Sequence, residues 1–136
     1  MTTHFITPAS DRNGVSATDV IKSQLTKGYY SWGASTPHVN DLKPGDRICF
    51  CAAHTGVVAS AVVATSARHS GMAGDPFPMV FQVHDPHFFL PVEIDEELRA
   101  KLNAFESKDP SSHYWSWFVF VTREVTEHAL DLLTRE

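Results

Sequence analysis

Two apolar, β-rich runs in the middle of the chain, separated by a tight polar connection, constrain the fold more than any other feature. The second run, "GVVASAVVATSA" at residues 56–67, is β-branched or small throughout and carries no charge before Arg68. This composition favours a central strand that is covered on both faces of a sheet. The first run, "RICFCAA", follows a Pro44-Gly45 turn and is joined to the second by "HT" and Gly56. Together the two runs predict a β-hairpin.

A helix is predicted before this hairpin, in "VSATDVIKSQLTKG". Ser16 is placed as its N-cap and Gly28 as its C-terminal stop. Four apolar residues recur at helical spacing between them: Ala17, Val20, Ile21 and Leu25. The helix is therefore expected to pack its apolar face against the sheet.

The rest of the chain reads as short strands, with helices near its end. Strands are predicted in "HFITPAS", "YYSWGAST", "MVFQVH", "FFLPVEI" and "YWSWFVFVTREV", with an Asp-Pro turn in "HDPH" between the third and the fourth. Further helices are predicted after caps at Asp95 and Thr126. The segment "RHSGMAGDPFP" holds two glycines and two prolines, so no regular element is expected there.

These elements predict the fold class. Most connections between neighbouring strands are too short for parallel crossovers. We therefore expect an α+β fold, a curved, mostly antiparallel β-barrel flanked by two or three helices, in a single domain spanning residues 1–136.

Composition and charge narrow the classes of function. No apolar run approaches the roughly 20 residues of a membrane-spanning helix, and the start "MTTHFITPAS" lacks the layout of a signal peptide. We therefore expect a cytoplasmic protein without a membrane partner. The formal net charge is -5 and no cluster of Lys and Arg occurs, which argues against a protein that holds long nucleic acid mainly through phosphate charge. Any role with nucleic acid has to rest on a local site.

Metal and cofactor chemistry find little support in the motifs. Cys49 and Cys51 with His54 give C-x-C-x-x-H, but a structural zinc site needs four ligands, so buried thiols are the simpler expectation. The segment "HDPH", with His84, Asp85 and His87, is either a metal or acid/base group or the simple turn. No phosphate-binding glycine loop, G-x-S-x-G or H-E-x-x-H motif occurs. We predict no metal, no cofactor and no catalytic residue.

The aromatic residues are the stronger pointer to a site. Tyr29, Tyr30 and Trp32 lie where the first helix gives way to a strand, directly before the small, polar "GAST". Most aromatics of a domain this small belong to its core. A flat ligand is nevertheless held by aromatic faces with a few fixed polar groups, a requirement that Trp32 and its neighbours fit.

The order "FITPAS", a loop with Asn13, the capped helix, "YYSWGASTPHVNDL", "GDRICFCAA" and "GVVASAVVAT" resembles the EVE and YTH group of PUA-like domains. The resemblance includes the W-x-x-S-T-like turn and the "LKPGD" that leads into a strand, and it continues more weakly through "FQVHDPHFFLPVEI" to the end. In that group a small β-barrel flanked by helices forms a pocket for a modified or flipped nucleobase. YTH domains read methylated adenine in RNA, and EVE domains are associated with modified cytosine in DNA or with RNA.

The resemblance also implies a set of site residues. Trp32 matches the cage tryptophan that follows the first long helix and would stack on the base. Hydrogen bonds to the base edge would come from Ser31, Gly33, Ala34 and Ser35, with Asn13 and Ser10 near the same pocket. Tyr30, Phe77 and Trp115 are the further candidate walls, with Phe77 in the loop that usually supplies the second cage aromatic.

The predicted function is therefore non-enzymatic binding of a modified or flipped nucleobase, in DNA or RNA, or of a small nucleotide. One alternative is a hydrolase of nucleotides or RNA on the same fold, with a histidine paired to Asp46 or Asp85. The candidate histidines for that alternative are His38, His54, His84 and His113. The other alternative is a protein-interaction domain, favoured by the negative charge. Which base, which nucleic acid and which oligomeric state are left open.

Overall fold

The computed structural model describes residues 2–33, 40–52, 55–74, 76–93 and 122–134. Their elements in chain order are β1 (His4–Ala9), α1 (Ala17–Thr26), β2 (Tyr29–Trp32), β3 (Arg47–Ala52), β4 (Gly56–Val63), β5 (Arg68–His69), β6 (Met79–Val92), β7 (Arg123–Val125) and α2 (Glu127–Thr134). The predicted helix after Asp95 and most of the predicted strand "YWSWFVFVTREV" lie outside the described residues. Neither described helix is long and apolar enough to cross a membrane.

The sheet is mixed but mostly antiparallel, as predicted. Its strand order is β2-β6-β4-β3-β1-β7, with β5 paired to β6, and in the described part of the chain it runs as an open path from β2 to β7. The predicted hairpin of β3 and β4 is confirmed and lies at the centre. One pair, β1 with β3, is parallel, from His4 opposite Arg47 to Ala9 opposite Ala52. The connection between them is long enough for this crossover because it contains α1 and β2.

Helix α1 follows its sequence signals closely. The Ser16 hydroxyl accepts a hydrogen bond from the Asp19 backbone N–H at 3.2 Å, which confirms the N-cap. Gly28 ends the helix with a φ of +85°, a conformation that glycine adopts without strain. Its carbonyl then accepts a hydrogen bond from the Val83 N–H at 2.9 Å, so the end of α1 is tied directly to β6.

The predicted Asp-Pro turn is wrong, because β6 continues through it from Met79 to Val92. Ser60 and Val62 of β4 lie opposite His87 and His84, so β6 holds one more residue than β4 over this stretch. This excess is a β-bulge, and Asp85 within it has a φ of 50°. Pro86 falls inside the bulge, one of the places where a strand tolerates proline. The strand therefore bends where the sequence predicts a reversal.

The glycine-rich loop begins with a short strand that the sequence does not predict. Residues Arg68 and His69 form β5 and lie opposite Val80 and Met79 of β6. The rest of the loop, as far as the structure describes it, holds no regular element, as expected.

The sheet is covered on both faces by two hydrophobic clusters. The first, against α1, contains Phe5, Ile21, Leu25, Tyr30, Trp32, Leu42, Ile48, Phe50, Val58, Phe81 and their smaller neighbours. The second, against α2, contains Ile6, Cys49, Cys51, Val57, Val92, Ala129, Leu130 and Leu133. Alternate residues of β1 and β3 enter opposite clusters, as the period of a strand requires. The buried, free thiols of the second cluster confirm the apolar role expected of both cysteines.

Candidate functional site

Trp32 is the last residue of β2 and is buried, with 3% of its surface exposed. Its indole Nε1 donates a hydrogen bond to the Thr7 hydroxyl at 2.9 Å. The Thr7 hydroxyl is in turn 2.7 Å from the Thr122 hydroxyl, and both threonines are buried. A short chain of polar groups thus fixes the indole to β1 and to the residue that precedes β7.

Trp32 shares one face of β2 with Tyr30, and both pack on an aromatic cluster. The centroid of the Phe81 ring is 4.6 Å from that of Trp32 and 6.0 Å from that of Tyr30. Phe50 completes the cluster, 4.8 Å from Tyr30. Burial raises the pKa of the Tyr30 hydroxyl, and the nearby Arg12 charge offsets part of that rise. This part of the site is therefore aromatic and well shielded from water.

Ser31, between these two aromatics, makes its side-chain contacts at the edge of β2 that faces away from β6, where the described residues hold no further strand. Its backbone N–H donates to Gln24 Oε1 at 2.9 Å, and its carbonyl accepts from Arg12 Nη2, also at 2.9 Å. Its hydroxyl contacts the same two side chains, at 3.1 Å from Gln24 Nε2 and 3.0 Å from Arg12 Nη1. Two long polar side chains therefore satisfy the backbone groups of Ser31 at this edge.

Arg12 reaches this edge because a tight turn directs it there. The Arg12 N–H donates to the Val15 carbonyl at 3.0 Å, and the Val15 N–H donates to the Arg12 carbonyl at 2.9 Å. Asn13 and Gly14, between them, have φ values of 51° and 81°. Positive φ at both central positions is typical of the Asn-Gly turns that close two-residue hairpins. The turn leaves Asn13 exposed at its tip and holds Arg12 at its base.

Arg12 also links its own turn to the loop that precedes β6. Its Cζ atom is 3.6 Å from the centre of the Phe77 ring, in the loop before β6, and 5.4 Å from that of Tyr30. A guanidinium at this distance over an aromatic ring makes a cation–π contact. Its Nη2 atom is 3.4 Å from the Tyr30 hydroxyl as well. One cation thus links Tyr30, Ser31 and Phe77, three of the residues that the family resemblance proposes.

The other proposed site residues lie elsewhere or outside the described chain. Asn13 and Ser10 are exposed and Gly33 is partly buried. Ala34, Ser35 and Trp115 lie outside the described residues. Their roles in a pocket stay predictions.

Arg12 is the contact residue that the sequence reading missed. The signal for it is the "RNGV" turn, since an Asn-Gly pair with a long side chain directly before it places that side chain at the hairpin base.

The residues of the catalytic alternative that the structure describes lie in two places, His84 and Asp85 on β6 and Asp46 directly before β3. His84 Nδ1 and Asp85 Oδ2 are 2.9 Å apart, with 54% and 72% of their side chains exposed, on β6. Asp46 is buried, and its two carboxylate oxygens accept the backbone N–H groups of Thr3 and Lys43, each at 3.0 Å. That carboxylate therefore holds a turn together. Candidates His38, His54 and His113 lie outside the described residues.

A metal centre finds no support in the described residues, where no group of three or more His, Cys, Asp or Glu side chains is placed to hold an ion.

Comparisons with known proteins identify the fold. No family model matches the chain, and no curated protein matches it either. Among solved structures, the YTH domain of the Zygosaccharomyces rouxii MRB1 protein, in complex with N6-methyladenosine RNA, is 15% identical, with a TM-score of 0.61 over 98% of this chain and 85% of that one. Human THYN1 protein, in complex with 5-methylcytosine containing DNA, is 12% identical, with a TM-score of 0.56 over 98% and 96%. Rpa0253 from Rhodopseudomonas palustris is 14% identical, with a TM-score of 0.62 over 98% and 92%.

These similarities extend over nearly the whole chain at low identity, so what they establish is the architecture. The mixed sheet with its helices agrees with this architecture and with the α+β class predicted from the sequence. The chain therefore has an EVE/YTH-like fold, as the resemblance in its sequence indicates.

Proposed function

We propose that this chain is a non-enzymatic binding module for a modified or flipped nucleobase of DNA or RNA, or for a small nucleotide. Two proteins with the same fold were solved with methylated nucleic acid, one with N6-methyladenosine RNA and one with 5-methylcytosine containing DNA. Their bound nucleic acids differ while the fold is common to both. The fold therefore supports the class of ligand and leaves the individual base open.

The observation that carries the proposal is the composition of β2 and its surroundings. Tyr30 and Trp32 belong to an aromatic cluster, and Ser31 between them is bonded to the Arg12 guanidinium. Aromatic faces beside a few fixed polar groups are what recognition of a planar base requires.

The charge of the molecule is consistent with local recognition. With a formal net charge of -5, the chain attracts extended nucleic acid weakly, so the affinity has to come from the base and its immediate neighbours. Extruding a base from a duplex costs a few kcal/mol, and this cost is smallest for a single strand. Single-stranded or already flipped bases are therefore the expected ligands.

The proposal is tested at Trp32 with a substitution that preserves the core. Because the side chain is buried, Trp32→Ala would remove about 3–5 kcal/mol of stability and confuse unfolding with loss of binding. Trp32→Phe keeps an aromatic ring but reduces the stacking surface and removes the indole N–H. We expect wild type to prefer methylated over unmodified single strands and Trp32→Phe to weaken that binding about 5- to 100-fold, since stacking contributes ~1–3 kcal/mol per base.

The measurement is isothermal calorimetry with matched methylated and unmodified oligonucleotides. The control is Leu130→Val, which loosens the separate hydrophobic cluster against α2 and should leave the preference for the methylated strand intact. Equal affinity of wild type for methylated and unmodified strands, unchanged in Trp32→Phe, would show that the proposed function is wrong.

A further inference from the structure

Arg12 carries a buried N–H group for which the described residues offer no acceptor. Its Nε atom is shielded from solvent and has no hydrogen-bond partner among the described residues. An unpaired buried donor costs about 1–3 kcal/mol, and native proteins contain few of them. The position of this donor, beside the proposed binding strand, points to an acceptor that arrives with a ligand.

The contacts of Arg12 hold that donor in a fixed direction. Nη1 and Nη2 are 3.0 and 2.9 Å from the hydroxyl and carbonyl oxygens of Ser31. The Phe77 ring lies 3.6 Å from Cζ and supports one face of the guanidinium. Because the guanidinium is planar and rigid, fixing its two terminal nitrogens and one face also fixes the Nε–H direction. The group is therefore held in one orientation, and a ligand oxygen reaches Nε only when the groups that cover it move aside.

Gln24 shows that covering the edge of β2 does not by itself require this donor. Its amide satisfies the Ser31 backbone N–H at 2.9 Å and contacts the Ser31 hydroxyl at 3.1 Å. Arg12 performs the matching structural task for the Ser31 carbonyl with Nη2 alone. The stacked face and the spare Nε–H are what Arg12 adds beyond that task.

Building on the function proposed above, we propose that Arg12 is a ligand-binding residue. Its Nε–H donates a hydrogen bond to an oxygen of the bound nucleotide, while Phe77 and Ser31 hold the guanidinium in place. That oxygen belongs either to a base carbonyl or to a phosphate group, since both accept strongly from a guanidinium. Arg12 thereby brings to the ligand a cation that contacts Tyr30, Ser31 and Phe77.

Binding measurements on three variants test this role. Two probes are used: a short single-stranded DNA with one 5-methylcytosine and a short single-stranded RNA with one N6-methyladenine. Arg12→Met keeps an unbranched apolar side chain but removes the guanidinium and its donors, Arg12→Lys keeps the charge without Nε, and Gln24→Met removes the opposite half of the edge contact. We expect both Arg12 variants to bind the preferred probe about 10- to 100-fold more weakly than wild type. Gln24→Met should change the affinity less than about 3-fold, because its hydrogen bonds are made within the protein.

The dependence of affinity on salt distinguishes the two sources of the oxygen. If Arg12 binds a phosphate, the slope of log K against log salt becomes shallower by about 0.7 in Arg12→Met, as expected for one contact to a single strand. If it binds a base carbonyl, the affinity falls while the slope stays the same. Either result supports a role in ligand binding.

Two results would count against the inference, and they are distinguishable. Equal losses of affinity in Arg12→Met and Gln24→Met, or no loss in Arg12→Met, would assign Arg12 to the structure of the edge alone while leaving the proposed function standing. Failure of folded wild type to bind either probe would overturn the proposed function and this inference with it. Circular dichroism at the binding temperature verifies that every variant is folded.

Discussion

Thr7 is the residue on which the orientation of Trp32 depends. Its hydroxyl accepts the indole N–H at 2.9 Å and lies 2.7 Å from Thr122, with all three side chains buried. Thr7 belongs to β1, whereas Thr122 precedes β7, so the contact joins parts of the chain 115 residues apart. A buried tryptophan ordinarily finds such a partner for its N–H, and here the partner is itself held by a second hydroxyl.

We predict that Thr7→Val lowers the free energy of unfolding by about 1–3 kcal/mol, because it leaves the Trp32 N–H and the Thr122 hydroxyl without this partner in a buried place. Urea denaturation measures the loss, and the indole N–H resonance of Trp32, assigned with Trp32→Phe, should shift. Thr7→Ser, which retains a hydroxyl, should recover most of the stability. A Thr7→Val protein as stable as wild type would contradict the hydrogen-bond network.

Among the elements, the close approach of the start of β4 to the end of β6 depends on a glycine. Gly56 begins β4 with a φ of +124°, and a Cβ atom there would lie 2.5 Å from the carbonyl oxygen of Val92. Val92 ends β6, opposite Val57. The close approach of the two backbones at this point depends on the absence of a side chain.

Gly56→Ala should therefore destabilise the protein by about 2–4 kcal/mol, since it adds a steric clash with backbone to an unfavourable φ. Gly71→Ala is the matched control, because Gly71 also has a positive φ of +79° but nothing within 4 Å of an added Cβ. Its cost should be nearer 1 kcal/mol. Thermal denaturation of both variants compares them, and equal shifts would show that the approach to Val92 is not tight.

The element scale also shows why sequence patterns succeeded in one place and failed in another. Helix α1 is predicted by its N-cap, its apolar spacing and Gly28, all within one segment. In β6, Pro86 suggests a break, yet it falls where β6 carries one more residue than β4, at a bulge that only the pairing with β4 defines. A local pattern cannot distinguish a proline that ends a strand from one that sits in a bulge.

On the scale of the whole molecule, ionisable groups are buried in both hydrophobic clusters. Tyr30 lies in the cluster against α1, and Cys49 and Cys51 lie in the cluster against α2. Burial raises the pKa of all three, that of Cys51 from 9.0 to about 11. Each group therefore stays protonated in the folded state at pH values where the unfolded chain already loses its proton.

The sign of the resulting pH dependence follows directly. Below pH 9 both states keep the Cys51 proton and the contribution to stability is complete; as the pH rises from 9.0 to about 11, the unfolded state ionises first and stability falls. We predict that Cys51 alone accounts for a loss of about 2–3 kcal/mol over this interval. Urea denaturation at a series of pH values measures it. Cys51→Ala should flatten the decline whatever its starting stability, and an unchanged decline would refute this assignment.

The candidate site was predictable from the sequence only in part. Of the site residues predicted from the sequence, the structure links Tyr30, Ser31 and Phe77 through one guanidinium. Arg12 itself carries no signal beyond the Asn-Gly turn beside it. Its partners on β2, Tyr30 and Ser31, are 18 and 19 residues away along the chain. Their contact with Arg12 therefore exists only once α1 has folded back to place β2 alongside the turn.

The sequence by itself determined the elements whose signals are local: the capped helix α1, the β3–β4 hairpin and the terminal helix that follows Thr126. Their stability derives from hydrogen bonds and apolar spacing within a few residues, which composition and order express directly. Only the tertiary structure decided the parallel pairing of β1 with β3, the continuous path of β6 and the meeting of Arg12 with Ser31 and Phe77. Those features join segments distant in sequence, and their energies depend on burial and on partners that no short pattern contains.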